Sequence, residues 1–160
     1  MTIKVGDRIP STDLVKATEN GPETMRSDDF LAGRKVALVD VPGAFTPTCS
    51  ARHLPGFLDK AEELKAKGID EVAFTAVNDP FVMGAWAHAS DAGDKVTMLA
   101  DGNASFAKEL GLSFDGSKFG MGERSQRYSM VVNDGVVEAL NVEAPGEFRV
   151  SSAEHLLETL

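Results

Sequence analysis

The sequence predicts an α/β fold, with a central mixed β-sheet flanked by helices and an N-terminal hairpin or arm, on three observations. Residues 36–41 and 72–77 are nearly continuous apolar runs, as expected of strands buried on both faces. Each run leads into a segment with helical spacing, the alternation that places helices against a sheet. Asn133-Asp134-Gly135 then separates two further strand-like runs, 128–132 and 136–140, as a tight hairpin turn.

The elements follow in order. Residues 9–25 combine the turn formers Asn20-Gly21-Pro22 with short apolar alternation, which suggests the N-terminal hairpin or arm. After the strand at 36–41, Leu54, Phe57, Leu58, Ala61 and Leu64 recur at helical spacing. Lys60, Glu62, Glu63, Lys65 and Lys67 take the wet face, and Gly68 closes the helix. Pro55 falls inside it, removes a hydrogen bond to the Ala51 carbonyl and predicts a kink. The strand at 72–77 leads to Asp79-Pro80, an N-cap and first helical residue opening a helix through about residue 88. Residues 96–99 read as a third strand and 103–110 as a helix stopped by Gly111. A capping box from Ser151 to Glu154 opens the final helix. The 160 residues suffice for one domain, 1–160, with a substantial core.

Composition narrows the function classes. A net charge of −9 makes nucleic acid and anionic membranes poor partners. No apolar stretch approaches the roughly 20 residues needed to span a bilayer. The start has neither an apolar signal core nor Arg-rich transit character. A single unpaired cysteine suits a reducing compartment, so the expected location is cytoplasmic. No spacing reads as a metal site, and no Gly-rich loop reads as a phosphate or dinucleotide cradle.

That cysteine, Cys49, is either a buried small apolar residue or a working thiol. Its flanks favour work: Thr46 is placed as an N-cap, Pro47 as the first helical residue and Cys49 as the third. The unpartnered N–H groups of a first turn and the helix dipole favour the nucleophilic thiolate. Read alone, Thr46 is only a cap, Pro42 only a strand terminator, and Arg124 and Arg127 two surface charges. His53, four residues after Cys49, shares its helix face. That permits a thiol–imidazole pair as in cysteine hydrolases, although a satisfied histidine at a core or subunit edge is the better reading.

Pro42, Thr46 and Cys49 together form Pro-x-x-x-Thr-x-x-Cys, which resembles the active-site pattern of peroxiredoxins, thiol peroxidases of the thioredoxin-like superfamily. The string 42–50, followed by His53-Leu54-Pro55-Gly56-Phe57, is similar to the type II, peroxiredoxin-five-like subfamily. So are 77–83 with Trp86, Leu99-Ala100-Asp101, and 124–130. The resemblance implies a thioredoxin-like fold and reduction of hydrogen peroxide and small alkyl hydroperoxides through a sulfenic acid on Cys49, with no cofactor. It further implies that Thr46 contacts sulfur and peroxide, that Pro42 shields the thiolate, and that Arg127 is the catalytic arginine. Arg124 takes a supporting part, through an ion pair, and His53 is also placed there; Phe45 and Phe119 are candidates to line the substrate mouth.

Family members with an internal resolving cysteine carry it where this chain has Phe74 or approximately Val150. This is therefore a one-cysteine form, and its reductant must come from outside: glutathione with glutaredoxin, favoured over thioredoxin. A homodimer is expected, using Phe45, Phe81 and Trp86. The alternative function is a peroxide-sensing relay that passes oxidation to a partner protein. Plain disulfide exchange fits less well, because the place of the first cysteine of a Cys-x-x-Cys is held by Thr46.

Overall fold

The computed structural model describes residues 2–160. The N-terminal segment folds as an antiparallel hairpin of β1 (Asp13–Thr18) and β2 (Gly21–Arg26), turned at Gly21 with φ 109°. A short helix, α1 (Ser27–Leu31), leads into β3 (Lys35–Val41). After the motif loop come a π-helical turn (Cys49–His53), α2 (Leu54–Asp59) and α3 (Ala61–Ala66). Next are β4 (Glu71–Ala76), α4 (Pro80–Ala89), β5 (Thr97–Ala100) and α5 (Ser105–Leu110). A small two-stranded sheet of β6 (Ser113–Asp115) and β7 (Glu123–Ser125) brackets a 3₁₀ turn (Ser117–Phe119). The chain ends with β8 (Tyr128–Asn133), β9 (Val136–Val142) and α6 (Ala153–Thr159).

The main sheet has seven strands in the order β2-β1-β5-β4-β3-β8-β9. β3, β4 and β5 run parallel and the other neighbours antiparallel, so the sheet is mixed, as expected. Strand alternation divides the core. Val39, Val41 and Phe74 pack with Cys49, Leu54, Phe57, Met83 and Trp86 on one side. Val36, Leu38 and Ala73 pack with Leu99, Phe106, Tyr128 and Met130 on the other.

Several boundaries depart from the sequence expectation for local reasons. Pro55 does not kink one continuous helix. The irregularity falls on the π turn before it, where the Leu54 N–H reaches back to the Cys49 carbonyl, and a break follows at Lys60 with φ −101° and ψ 6°. α5 starts at Ser105, because Ala104 is left-handed at φ 61° and Asp101 accepts the N–H of Phe106 (3.0 Å) and Ala107 (2.9 Å). The capping box is displaced by one residue: Ser152 accepts the His155 N–H at 3.1 Å, while Ser151 is buried and turned inward. α1, β6 and β7 were not expected; at three to five residues they are too short to carry a period.

Asp40 points into the second core, fully buried, and takes one hydrogen bond from the Tyr128 hydroxyl at 3.2 Å. Its other oxygen, Oδ1, has no partner among the described residues. Burial, reinforced by the charge of Asp101, pushes its carboxyl well above the usual carboxylate range. The folded state thus holds this proton to a higher pH than the unfolded chain. The stability it contributes is complete below the ordinary value of 3.8 and is lost as pH rises through the raised one. Asp40→Asn should therefore gain thermal stability over wild type as pH rises from about 4 to about 7, by about 2–4 °C for each kcal/mol. Melting curves across that range check this, and a difference independent of pH would contradict it.

Candidate active site

The site forms where β3 ends. Val41 completes the strand, and the chain leaves through Pro42 and Gly43 into a turn at residues 44–45. Phe45 adopts φ 64°, an uncommon conformation for a bulky residue, and its ring is 52% exposed. The Ala44 N–H is held by the Asn78 side chain at 2.9 Å, which ties this loop to the end of β4. The helix opens at Pro47, and the Thr46 carbonyl accepts the Ser50 N–H at 2.9 Å. Thr46 does not cap through its side chain: its hydroxyl donates to the Gly43 carbonyl at 2.7 Å. Its proton is thereby committed inside the loop, leaving its lone pairs to accept.

Cys49 is fully buried in the first core. The π turn puts Cys49 and His53, four residues apart, on one face, and Arg127 lies between them. Its Nη2 donates to Cys49 Sγ at 3.0 Å, and its Nη1 donates to His53 Nδ1 at 2.7 Å. A guanidinium has only donors, so His53 Nδ1 is the acceptor. His53 Nε2 then carries the proton and donates to the Ser151 carbonyl at 2.9 Å. No thiol–imidazole pair forms, because both ring nitrogens are engaged elsewhere.

The imidazole sits among three phenyl rings, with centroids at 5.7 Å (Phe57), 5.5 Å (Phe74) and 4.9 Å (Phe148). Burial, aided by the Arg127 charge, pushes the His53 pKa down to about 3. The ring is accordingly neutral and able to accept from Arg127.

Arg124 stands apart from the sulfur and forms no ion pair among the described residues. Its Nε donates to the Met121 carbonyl at 2.8 Å and its Nη1 to the Pro42 carbonyl at 3.4 Å, latching the motif loop to the segment before β7. Gly43 lies under this latch: a Cβ there would meet Thr46 Cγ2 at 3.1 Å, Arg124 Nη1 at 3.2 Å and Met121 Cε at 3.3 Å. Phe119, on the 3₁₀ turn, is 77% exposed. Trp86 is only 1% exposed and donates to Ser50 Oγ at 3.0 Å, so it belongs to the core and cannot serve as an oligomer contact.

Sequence reading missed Phe148 and Ser151. The Phe148 ring is approached by the Arg52 guanidinium at 4.7 Å and by that of Arg127 at 5.8 Å. Phe148 lies in no motif and Ser151 only in the expected capping box, and each meets His53 only through the tertiary fold.

A lone thiol bonded to a guanidinium, at the end of a buried parallel strand, is the arrangement of a thiol-based oxidoreductase. The Redoxin family pattern matches residues 4–157 of this chain. Peroxiredoxin-2B of Arabidopsis thaliana is 46% identical over 159 residues, covering 99% of this chain and 98% of that protein. The crystal structure of reduced Prx3 from Vibrio vulnificus in complex with hydrogen peroxide superposes with a TM-score of 0.95 at 49% identity, covering 99% of both chains. Peroxiredoxin 5 from Alvinella pompejana superposes with a TM-score of 0.87 at 34% identity, covering 98% of this chain and 97% of that one. The chain belongs to the Redoxin family and is a peroxiredoxin, a thiol peroxidase of thioredoxin-like fold, in the one-cysteine form of the type II, peroxiredoxin-five-like group.

The histidine environment makes a direct prediction. The unfolded chain binds a proton near the ordinary value of 6.5, whereas folded His53 resists it down to about 3. Its contribution to stability is thus present above 6.5 and is lost as pH falls toward 3. Nitrogen-15 NMR of the ring should show a neutral Nε2–H tautomer with no titration between about pH 5 and about pH 8, where an ordinary histidine changes charge. An inflection in that range would contradict this assignment.

Proposed function

We propose that Cys49 is the peroxidatic nucleophile, with Arg127 and Thr46 acting on opposite needs of the same substrate. The Arg127–Cys49 hydrogen bond carries this reading. A guanidinium stays charged, so it favours the thiolate without consuming a proton. The thiolate attacks one peroxide oxygen: the S–O bond forms, the O–O bond breaks, and the departing oxygen takes up a proton to leave as water or alcohol. Sulfur is oxidised to sulfenic acid and the peroxide is reduced. The Thr46 hydroxyl, its own proton held by the Gly43 carbonyl, accepts the peroxide O–H and sets the angle of approach. The Arg127 guanidinium and the Cys49 backbone N–H stabilise the negative charge as it moves. Pro42 forms the wall of the loop, and Arg124 holds that wall in place. The exposed side chains of Phe45 and Phe119 are the apolar groups assigned here to the substrate mouth.

The sulfenic acid has no second cysteine in the chain to meet. With Cys49 fully buried, a small thiol is the reductant that reaches it most easily, so glutathione attacks first and glutaredoxin clears the mixed disulfide, ahead of thioredoxin. A sensing relay would use the same thiol and stall after one oxidation without its partner protein. The exposed rings of Phe45 (52%) and Phe81 (73%) support a homodimer, now without Trp86. The lone thiol supports a cytoplasmic setting.

Cys49→Ser should abolish peroxide consumption with the fold retained. Arg127→Gln and Thr46→Val should each slow Cys49 oxidation by roughly ten- to a thousandfold, and Arg124→Gln by less. Rapid-mixing kinetics at low peroxide measures this, and a larger effect at Arg124 than at Arg127 would overturn the assignment. For the reductant, intact mass after one equivalent of peroxide should show a Cys49–glutathione adduct when glutathione is present, with turnover stimulated more by glutaredoxin than by thioredoxin. Rapid turnover on thioredoxin alone, with no adduct, would refute the glutathione route.

A further inference from the structure

Beyond β9 the chain passes through residues 143–152 before α6, and this segment supplies both Phe148 and the Ser151 carbonyl to the site. Phe148 packs against the His53 ring, and one further side chain gathers the backbone of the segment's second half. Glu143 is 5% exposed, a rare position for a carboxylate, and its two oxygens collect five hydrogen bonds. The Arg149 N–H reaches both oxygens, at 2.9 and 2.8 Å. The N–H groups of Val150 and Ser151 reach Oε2 at 2.8 Å each, and the Ser151 hydroxyl reaches it at 2.7 Å. Burial works against the charge, yet these donors together hold the carboxyl below its usual range. A buried carboxylate so surrounded fixes the backbone of three successive residues.

From there the hydrogen bonds run without a gap. The Ser151 carbonyl accepts from His53 Nε2 (2.9 Å), His53 Nδ1 accepts from Arg127 Nη1 (2.7 Å), and Arg127 Nη2 donates to Cys49 Sγ (3.0 Å). The path also closes on itself, because the Glu143 N–H donates to the Arg127 carbonyl at 2.9 Å. Glu143 therefore holds Arg127 twice: its backbone directly, and its guanidinium through Ser151 and His53.

We infer that Glu143 is a positioning residue for peroxide reduction, whose carboxylate fixes the Ser151 carbonyl so that His53 turns Arg127 onto the Cys49 sulfur. The inference rests on the reading of Cys49 as the peroxide-reactive nucleophile. With the carboxylate replaced by an amide, an NH₂ faces backbone N–H donors, the 149–151 segment shifts, and the His53 ring loses its fixed partner. Arg127 keeps its charge but not its aim.

The test is the rate of Cys49 oxidation by hydrogen peroxide in E143Q, normalised to folded protein by titration of the free thiol. The expected result is a loss of about tenfold or more, approaching that of removing a charge-stabilising donor. A purely structural role would lower the melting temperature without changing the rate of the molecules that remain folded. The double variant E143Q/R127Q separates the two further, because coupling through Arg127 predicts that E143Q adds less than about threefold in that background. A wild-type rate for folded E143Q, or full additivity with R127Q, would overturn the inference. Should E143Q fail to fold, S151A removes a single donor from the same carboxylate and should slow oxidation by about two- to fivefold; an unchanged rate there would overturn it equally. The wild-type protein in the same assay tests the underlying reading separately: if it does not react, the nucleophile assignment fails, whereas a reactive wild type matched by E143Q removes only the role of Glu143.

Discussion

One guanidinium shared between a buried sulfur and a buried imidazole organises this molecule. Arg127 spends one nitrogen on Cys49 Sγ and another on His53 Nδ1, and its planar fork is what lets a single charge meet both at 3.0 and 2.7 Å. A lysine would offer a point charge free to follow either partner. The π turn brings the two acceptors to one face, and the phenyl rings of Phe57, Phe74 and Phe148 keep the imidazole dry. Dryness matters because a protonated imidazole would present a proton where Arg127 needs a lone pair. The apolar cage thus sets the charge state of His53, and that charge state sets the direction of Arg127.

The sheet supplies the platform for this arrangement. β3 delivers the motif loop at its C-terminal end, where ligands of open α/β sheets gather, and β8 begins beside it in antiparallel register, with Asp40 opposite Tyr128. Arg127 stands one residue before that register starts, so its position relative to Cys49 is a consequence of strand pairing. Gly43 permits the close approach of Thr46, Arg124 and Met121 that fixes the loop from outside. The seven-stranded order and the two core layers follow from buried runs that need covering on both faces.

Strands β3, β4, β8 and β9 were legible because their signals are local: continuous apolar runs, and an Asn-Asp-Gly turn whose Asp134 and Gly135 do take φ of 49° and 83°. Pro42, Thr46 and Cys49 were legible as one contiguous motif. Arg127 was distinguished from Arg124 only through the family resemblance; in the fold, the first touches sulfur and the second touches carbonyls. Thr46 shows where residue type misleads, since a hydroxyl at an N-cap position can as well donate backward to Gly43. Glu143 and Phe148 left no sequence signal, and Ser151 showed only as a helix cap, not as the partner of His53. The His53–Ser151 bond joins residues 98 positions apart and the His53–Arg127 bond residues 74 apart, separations that no periodicity spans. The segment carrying Phe148 and Ser151 belongs to no regular element, and a single carboxylate, Glu143, takes hydrogen bonds from three of its successive residues.

If Cys49 is the peroxidatic nucleophile, its surroundings should accelerate cleavage of the O–O bond beyond what a reactive thiol alone achieves. The direct measurement is the pair of second-order rate constants of wild-type Cys49 with hydrogen peroxide and with iodoacetamide, each compared with that of a free cysteine thiolate. Iodoacetamide reports thiolate availability and access, but it has neither a peroxide O–H for Thr46 nor an O–O bond to break. The expected result is a peroxide rate enhanced by orders of magnitude beside an alkylation rate with little or no enhancement. Equal enhancement of both, or none for peroxide, would contradict it.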